Sequence, residues 1–155
     1  MENISIQKAS LGKRLLAISY DGLILFFIVV ITYVVLQQII INLELITLEK
    51  VQISKDETIN IIPTDSMITL ILKNLWVVIS FFYFGHYWTK SGQTLGMKVW
   101  KVKAVTADGS LISWGDSLKR YVFALLGLGV LWIIADKDKL ALQDRMSKTT
   151  LIRVE

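Results

Sequence analysis

The chain has 155 residues, with 17 lysines and arginines against 13 acidic residues and a formal net charge of +4. Its 54% hydrophobic content, 19% charged residues and mean hydropathy of +0.55 exceed what a water-facing surface of this size requires, so the apolar excess is expected to face lipid. The absence of cysteine excludes disulfides, thiolate metal sites and thiol chemistry.

The first segment, about 15–41, is a membrane-spanning helix by length, since about 20 apolar residues cross the hydrocarbon core. It is too long for a signal-peptide core and no small-x-small cleavage pattern follows it, so it reads as a retained anchor. Asp21 lies inside it, although a carboxylate at mid-helix costs roughly 2.5–3.5 kcal/mol on insertion scales. Arg14 stands seven residues earlier, which on a helix is the same face about 10.5 Å lower, with the small Ala17 between them. This stripe is either a site where Asp21 takes up a proton or cation, or a polar clamp that fixes helix packing.

An acidic extracytoplasmic loop, 42–67, carries only Lys50 and Lys55 against Glu44, Glu49, Asp56, Glu57 and Asp65. The second spanning helix covers about 68–88. Entering from outside, it would place Lys73 near the outer face and Asp21 near the inner one, so Lys73 is expected to snorkel outward rather than pair with Asp21. Tyr83, His86 and Arg120 match the depth of Asp21 better. The aromatic run Phe81-Phe82-Tyr83-Phe84-Gly85-His86-Tyr87-Trp88 reads as an interfacial belt; its lone histidine cannot by itself make a metal site.

The basic stretch 89–117 is expected in the cytoplasm, together with the amino terminus, because lysines and arginines resist translocation. Within it, Gly92 to Gly96 reads as turn and packing chemistry rather than a dimer seam. Met97 to Thr106 alternates apolar and basic residues ahead of an Asp108-Gly109 turn and Leu111-Ile112, a β-hairpin signal. Thr149 to Val154 alternates too and needs a sheet to join. Between them, the third apolar segment, about 118–135, is short. It is either a third span, exporting the basic tail 136–155, or a re-entrant helix bending near Gly127 and Gly129. Joining the tail to the hairpin would keep the tail inside.

The expected fold class is therefore an all-α integral membrane protein with two clear transmembrane helices, a third short spanning or re-entrant helix, and a small cytoplasmic β-hairpin joined by a C-terminal strand. It forms a single domain in a cytoplasmic membrane, multi-pass, with an inside amino terminus. No phosphate loop, HExxH or serine-base arrangement marks an enzyme, and no cofactor or metal is expected. The basic segments are accounted for by topology and anionic lipid, so nucleic acid is not an expected partner.

Four stretches taken together resemble the RDD family of small membrane proteins, named for an arginine and two aspartates. They are Gly12-Lys13-Arg14-Leu15-Leu16-Ala17-Ile18-Ser19-Tyr20-Asp21; Gly92-Gln93-Thr94-Leu95-Gly96-Met97-Lys98-Val99 running into Ala107-Asp108-Gly109; Ser113-Trp114-Gly115 with Arg120; and Leu142-Gln143-Asp144-Arg145-Met146-Ser147-Lys148-Thr149-Thr150. The resemblance makes Arg14, Asp21 and Asp144 the signature residues and implies a mostly bacterial cytoplasmic-membrane protein for which transport has been proposed. Gln143 departs from a frequent family histidine and weakens any proton-handling role there. Two functions follow as expectations: a small transporter or transporter subunit for protons or alkali cations with Asp21 as the intramembrane site, or a non-catalytic structural or adaptor module in which Arg14, Asp21 and Asp144 lock helix packing. Expected partners are the lipid bilayer and either further copies of the chain or other membrane proteins.

Overall fold

A backbone crossing lipid must satisfy its own hydrogen bonds, and both long apolar segments form helices, the structure that would do so. The computed structural model describes residues 7–45, 48–54, 57–61, 63, 66–125, 129, 132–136 and 140–154. Helix α1, Leu11–Asn42, and helix α2, Met67–Lys90, are each long and apolar enough to cross a membrane. They begin and end within a few residues of the expected bounds. The rest comprises β1, Glu49–Ser54; β2, Glu57–Ile61; α3, Leu95–Val99; β3, Val102–Thr106; α4, Trp114–Leu125; α5, Trp132–Ala135; α6, Leu142–Met146; and β4, Thr149–Arg153. The chain divides into two compact units, Met1–Leu25 with Ser80–Glu155, and Phe26–Ile79, with the division falling inside α1 and α2.

The first unit is built around the one polar stripe of α1. Arg14, Ala17, Asp21 and Leu25 are buried, while Leu15, Leu16, Ile18 and Leu23 are exposed. This inverts the pattern of a water-soluble helix and fits a helix whose surroundings are apolar. Helix α2 closes at Gly92, whose φ of +74° and N–H bond to the Tyr87 carbonyl form a left-handed cap. A Cβ there would also stand 2.8 Å from the Ala104 carbonyl, so glycine is required twice over. Thr94 caps α3 by accepting from the Met97 N–H at 3.1 Å. Ser113 caps α4, its Oγ accepting from the Asp116 N–H at 3.1 Å while its hydroxyl donates to the Asp116 carboxylate at 2.8 Å.

Strands β3 and β4 pair antiparallel from Val102↔Arg153 to Thr106↔Thr149. Residues 7–9 join the other side of β4 through an isolated Lys8↔Ile152 bridge and the Ala9 N–H bond to Leu151. The sheet partner expected from the sequence is thus corrected in part. The tail does join Val102–Thr106, but Met97–Val99 is helical and residues 111–113 form no strand, so the hairpin does not exist. Its turn is present, with Thr106 N–H bonding Ser110, but Ser113 starts a helix before a second strand can form. The consequence for topology is direct. Residues 7–9, the segment after α2 and the tail are hydrogen-bonded together, so they share one side of any membrane that α1 and α2 cross.

The third apolar segment is interrupted. Its described parts are α4, which ends at Leu125, the turn residue Gly129 and the short α5; neither helix is long enough to span, and the expected bend at Gly127 lies outside the described residues. In the second unit the acidic loop holds an antiparallel ribbon, β1 with β2, pairing Val51↔Ile59 and Gln52↔Thr58. Ser66 opens α2 there, accepting from the Thr69 N–H at 3.1 Å.

Candidate functional site

Among the described residues of the first unit, four charged ones are buried: Arg14, Asp21, Arg120 and Asp144, at 2%, 2%, 3% and 0% exposure. They form two centres. In the first, Asp144 sits between both arginines. Arg14 Nη1 pairs with Asp144 Oδ2, its Nε donates to the Ala9 carbonyl at 3.0 Å, and its Nη2 donates to Leu151 at 3.4 Å. Arg120 Nη1 lies 2.6 Å from Asp144 Oδ1, a Coulombic contact outside hydrogen-bond alignment, and donates to Thr149 Oγ1 at 2.6 Å. The Arg120 guanidinium also stands 5.1 Å from the centre of the Trp88 ring, a cation–π geometry. Asp144 is placed by α6, whose Ser147 hydroxyl turns back to Gln143 O at 2.6 Å. The N-cap of α6 is Ala141, which makes no side-chain bond, and Asp144 lies in the first turn.

The second centre surrounds Asp21. Tyr83 donates to its Oδ1 at 2.8 Å, the Gly96 N–H donates to the same oxygen at 2.8 Å, and the Thr94 hydroxyl bonds Oδ2. Thr94 and Gly96 reach this depth because the turn after α2 folds α3 back against α1. A Cβ on Gly96 would lie 2.3 Å from the Ala17 carbonyl, so the amide can approach only from glycine. The bare residue at Gly96 and the small one at Ala17 are two halves of one close contact.

The charges balance only across both centres. Two guanidiniums and one carboxylate leave the first at +1, and Asp21 supplies the matching −1. The backbones of Arg14 and Asp21 are about 10.5 Å apart along the helix. Arg14 and Asp21 therefore complement each other through space while binding different partners.

Sequence reasoning located Arg14, Asp21 and Asp144 and matched Tyr83 to Asp21 by depth. The structure brings Arg120 to Asp144 instead of Asp21. His86 is exposed and meets Tyr87 edge-on, its ring 5.6 Å away; none of the hydrogen bonds described for Asp21 involves it. Lys73 is exposed, as snorkelling requires. The residues missed were Thr94, Gly96, Trp88 and Thr149. Thr94 carried a weak signal as a helix cap, but a backbone N–H on Gly96 leaves none. Gln143 is buried against Gly129, and its Oε1 has no hydrogen-bond partner among the described residues. No cluster of His, Cys, Asp or Glu suited to a metal occurs among them either.

Two span-length helices, tied by the Tyr83–Asp21 bond beside a buried arginine–aspartate set, define a membrane-type helical protein. The family model described as RDD family matches residues 8–148, and the chain belongs to that family. Arg14, Asp21 and Asp144 all fall inside the match. No curated protein and no solved structure matches the chain significantly.

Proposed function

We propose that the chain is a non-catalytic, membrane-anchored structural module, its two long helices spanning a cytoplasmic membrane and its buried charges locking the strand-bearing end into one shape for presentation to a partner. The observation that carries this reading is the occupancy of both acidic side chains by the chain's own donors: Asp21 by Tyr83, Thr94 and the Gly96 amide, Asp144 by Arg14 and Arg120. A carboxylate that cycles protons or cations needs an exchange path, whereas these oxygens are engaged by groups on α1, α2, α3 and α4 and the cap of α3. Charge counts around the helices support an inside amino terminus.

A second reading is transport of protons or alkali cations, favoured by the convergence of the Asp21 carboxylate with the Tyr83 and Thr94 hydroxyls, an oxygen set of the kind hard cations select. Purified protein in proteoliposomes separates the two. The structural reading expects no proton or alkali-cation flux above empty vesicles and a marked loss of thermal stability in Asp21→Asn. Flux that vanishes in a fully stable Asp21→Asn variant would overturn it and establish transport.

A further inference from the structure

The faces of α4 differ sharply. Ser117, Arg120 and Tyr121 are buried, whereas Trp114, Leu118, Val122 and Leu125, at i, i+4, i+8 and i+11, are all close to half exposed. Trp132 and Ile134 of α5 are exposed as well. Such a face needs an occupant, and the direction of α4 indicates which. Trp114, at its start, meets Phe81 with rings 6.2 Å apart and lies so close to Gly85 that a Cβ there would come within 2.5 Å. Arg120, six residues later, stands over Trp88. Tyr121 meets Phe81 at 5.4 Å and bonds Ser80 at 2.5 Å. Advancing about 10.5 Å along α4 thus produces no steady advance along α2, so α4 crosses α2 instead of running beside it.

Spanning helices tilt only about 20° on average, so a helix crossing one lies along the bilayer plane. These contacts on α2 fall between Ser80 and Trp88, in the half of the helix that leads into α3 and β3. The same unit exposes Lys90, Lys98, Lys101, Lys119, Lys148 and Arg153, a charge complement for anionic headgroups, and its α1 surface continues apolar through Leu15, Leu16 and Ile18. We propose that α4 is an interfacial lipid-binding helix, its Trp114-Leu118-Val122-Leu125 face seated in the phospholipid leaflet on the side of β3 and β4. The proposal rests on the reading that α1 and α2 span the membrane.

Because the chain has no cysteine, single nitroxide labels can be introduced at Leu118→Cys, Val122→Cys and Phe27→Cys in an otherwise native protein. In vesicles of phosphatidylethanolamine and phosphatidylglycerol, oxygen and nickel-chelate accessibility reports the depth of each label. Labels at 118 and 122 should lie at nearly equal depth, about 5–10 Å below the headgroups. A label at 122 deeper than 118 by the about 6 Å of a perpendicular helix would overturn the proposal. Water-like accessibility at both would overturn it too, as would spin–spin broadening from a second copy on this face. The label at 27 reads the underlying assumption separately: it should sit near the bilayer centre, and water access there would refute the spanning of α1 whatever the α4 labels show.

Discussion

Replacing Asp144 by asparagine removes the one negative charge between two buried guanidiniums while preserving shape. Both Nη1 atoms touch that carboxylate, so the two cations stand on the order of 5 Å apart; at an effective dielectric of about 20 their uncompensated repulsion is about 3 kcal/mol. Breaking a buried pair by removing one partner costs about 3–5 kcal/mol by the same logic, a large share of the about 5–15 kcal/mol that holds a typical domain together. In detergent-solubilised protein Asp144→Asn should lower the unfolding midpoint by about 10 °C. The double variant Asp144→Asn with Arg120→Gln should recover part of the loss, because it removes one of the two stranded cations. Thermal unfolding followed by circular dichroism measures all three. An Asp144→Asn protein within about 1 kcal/mol of the native one, or a double variant less stable than the single, would refute the view that charge balance at Asp144 holds this end together.

Two further outcomes are expected. Gly96→Ala drives a methyl against the Ala17 carbonyl and the Asp21 carboxyl, and should cost about 2 kcal/mol or more, read as a lower unfolding midpoint; an unchanged midpoint would mean that α3 does not press on α1 as described. Reporters fused before Met1 and after Glu155 should report the same side of the membrane, since residues 7–9 and β4 are hydrogen-bonded; opposite signals would contradict that pairing.

The elements most legible in the sequence were those fixed by length and apolarity. Both long helices fall where hydropathy places them, because nothing competes with an intrahelical hydrogen bond in lipid. The Arg14–Asp21 stripe was readable for a similar reason: helical periodicity is local, and a charge in an apolar run stands out. Partner choice was not readable, since depth ranks candidates only along the bilayer normal, and Arg120 and Tyr83 enter from different directions. The hairpin expectation failed at Ser113, where a capping residue four positions past Gly109 starts α4. Residues 111–113 are too few to outcompete the pairing of β3 with β4 before the α4 helix starts. Gly96 shows the deeper limit: its contribution is a main-chain amide, and main-chain atoms have no letter in a sequence.

The tie between Arg14 and Asp144 joins residues 130 positions apart, nearly the whole length of the chain. During synthesis Arg14 and Asp21 emerge first, and the partners of Asp21 follow with Tyr83, Thr94 and Gly96. The guanidinium waits for the last few residues. Until α6 and β4 are made, Arg14 has no directly paired carboxylate, and that site can close only once nearly the whole chain exists. A chain truncated before Asp144 would therefore be left with an open charge near its very beginning.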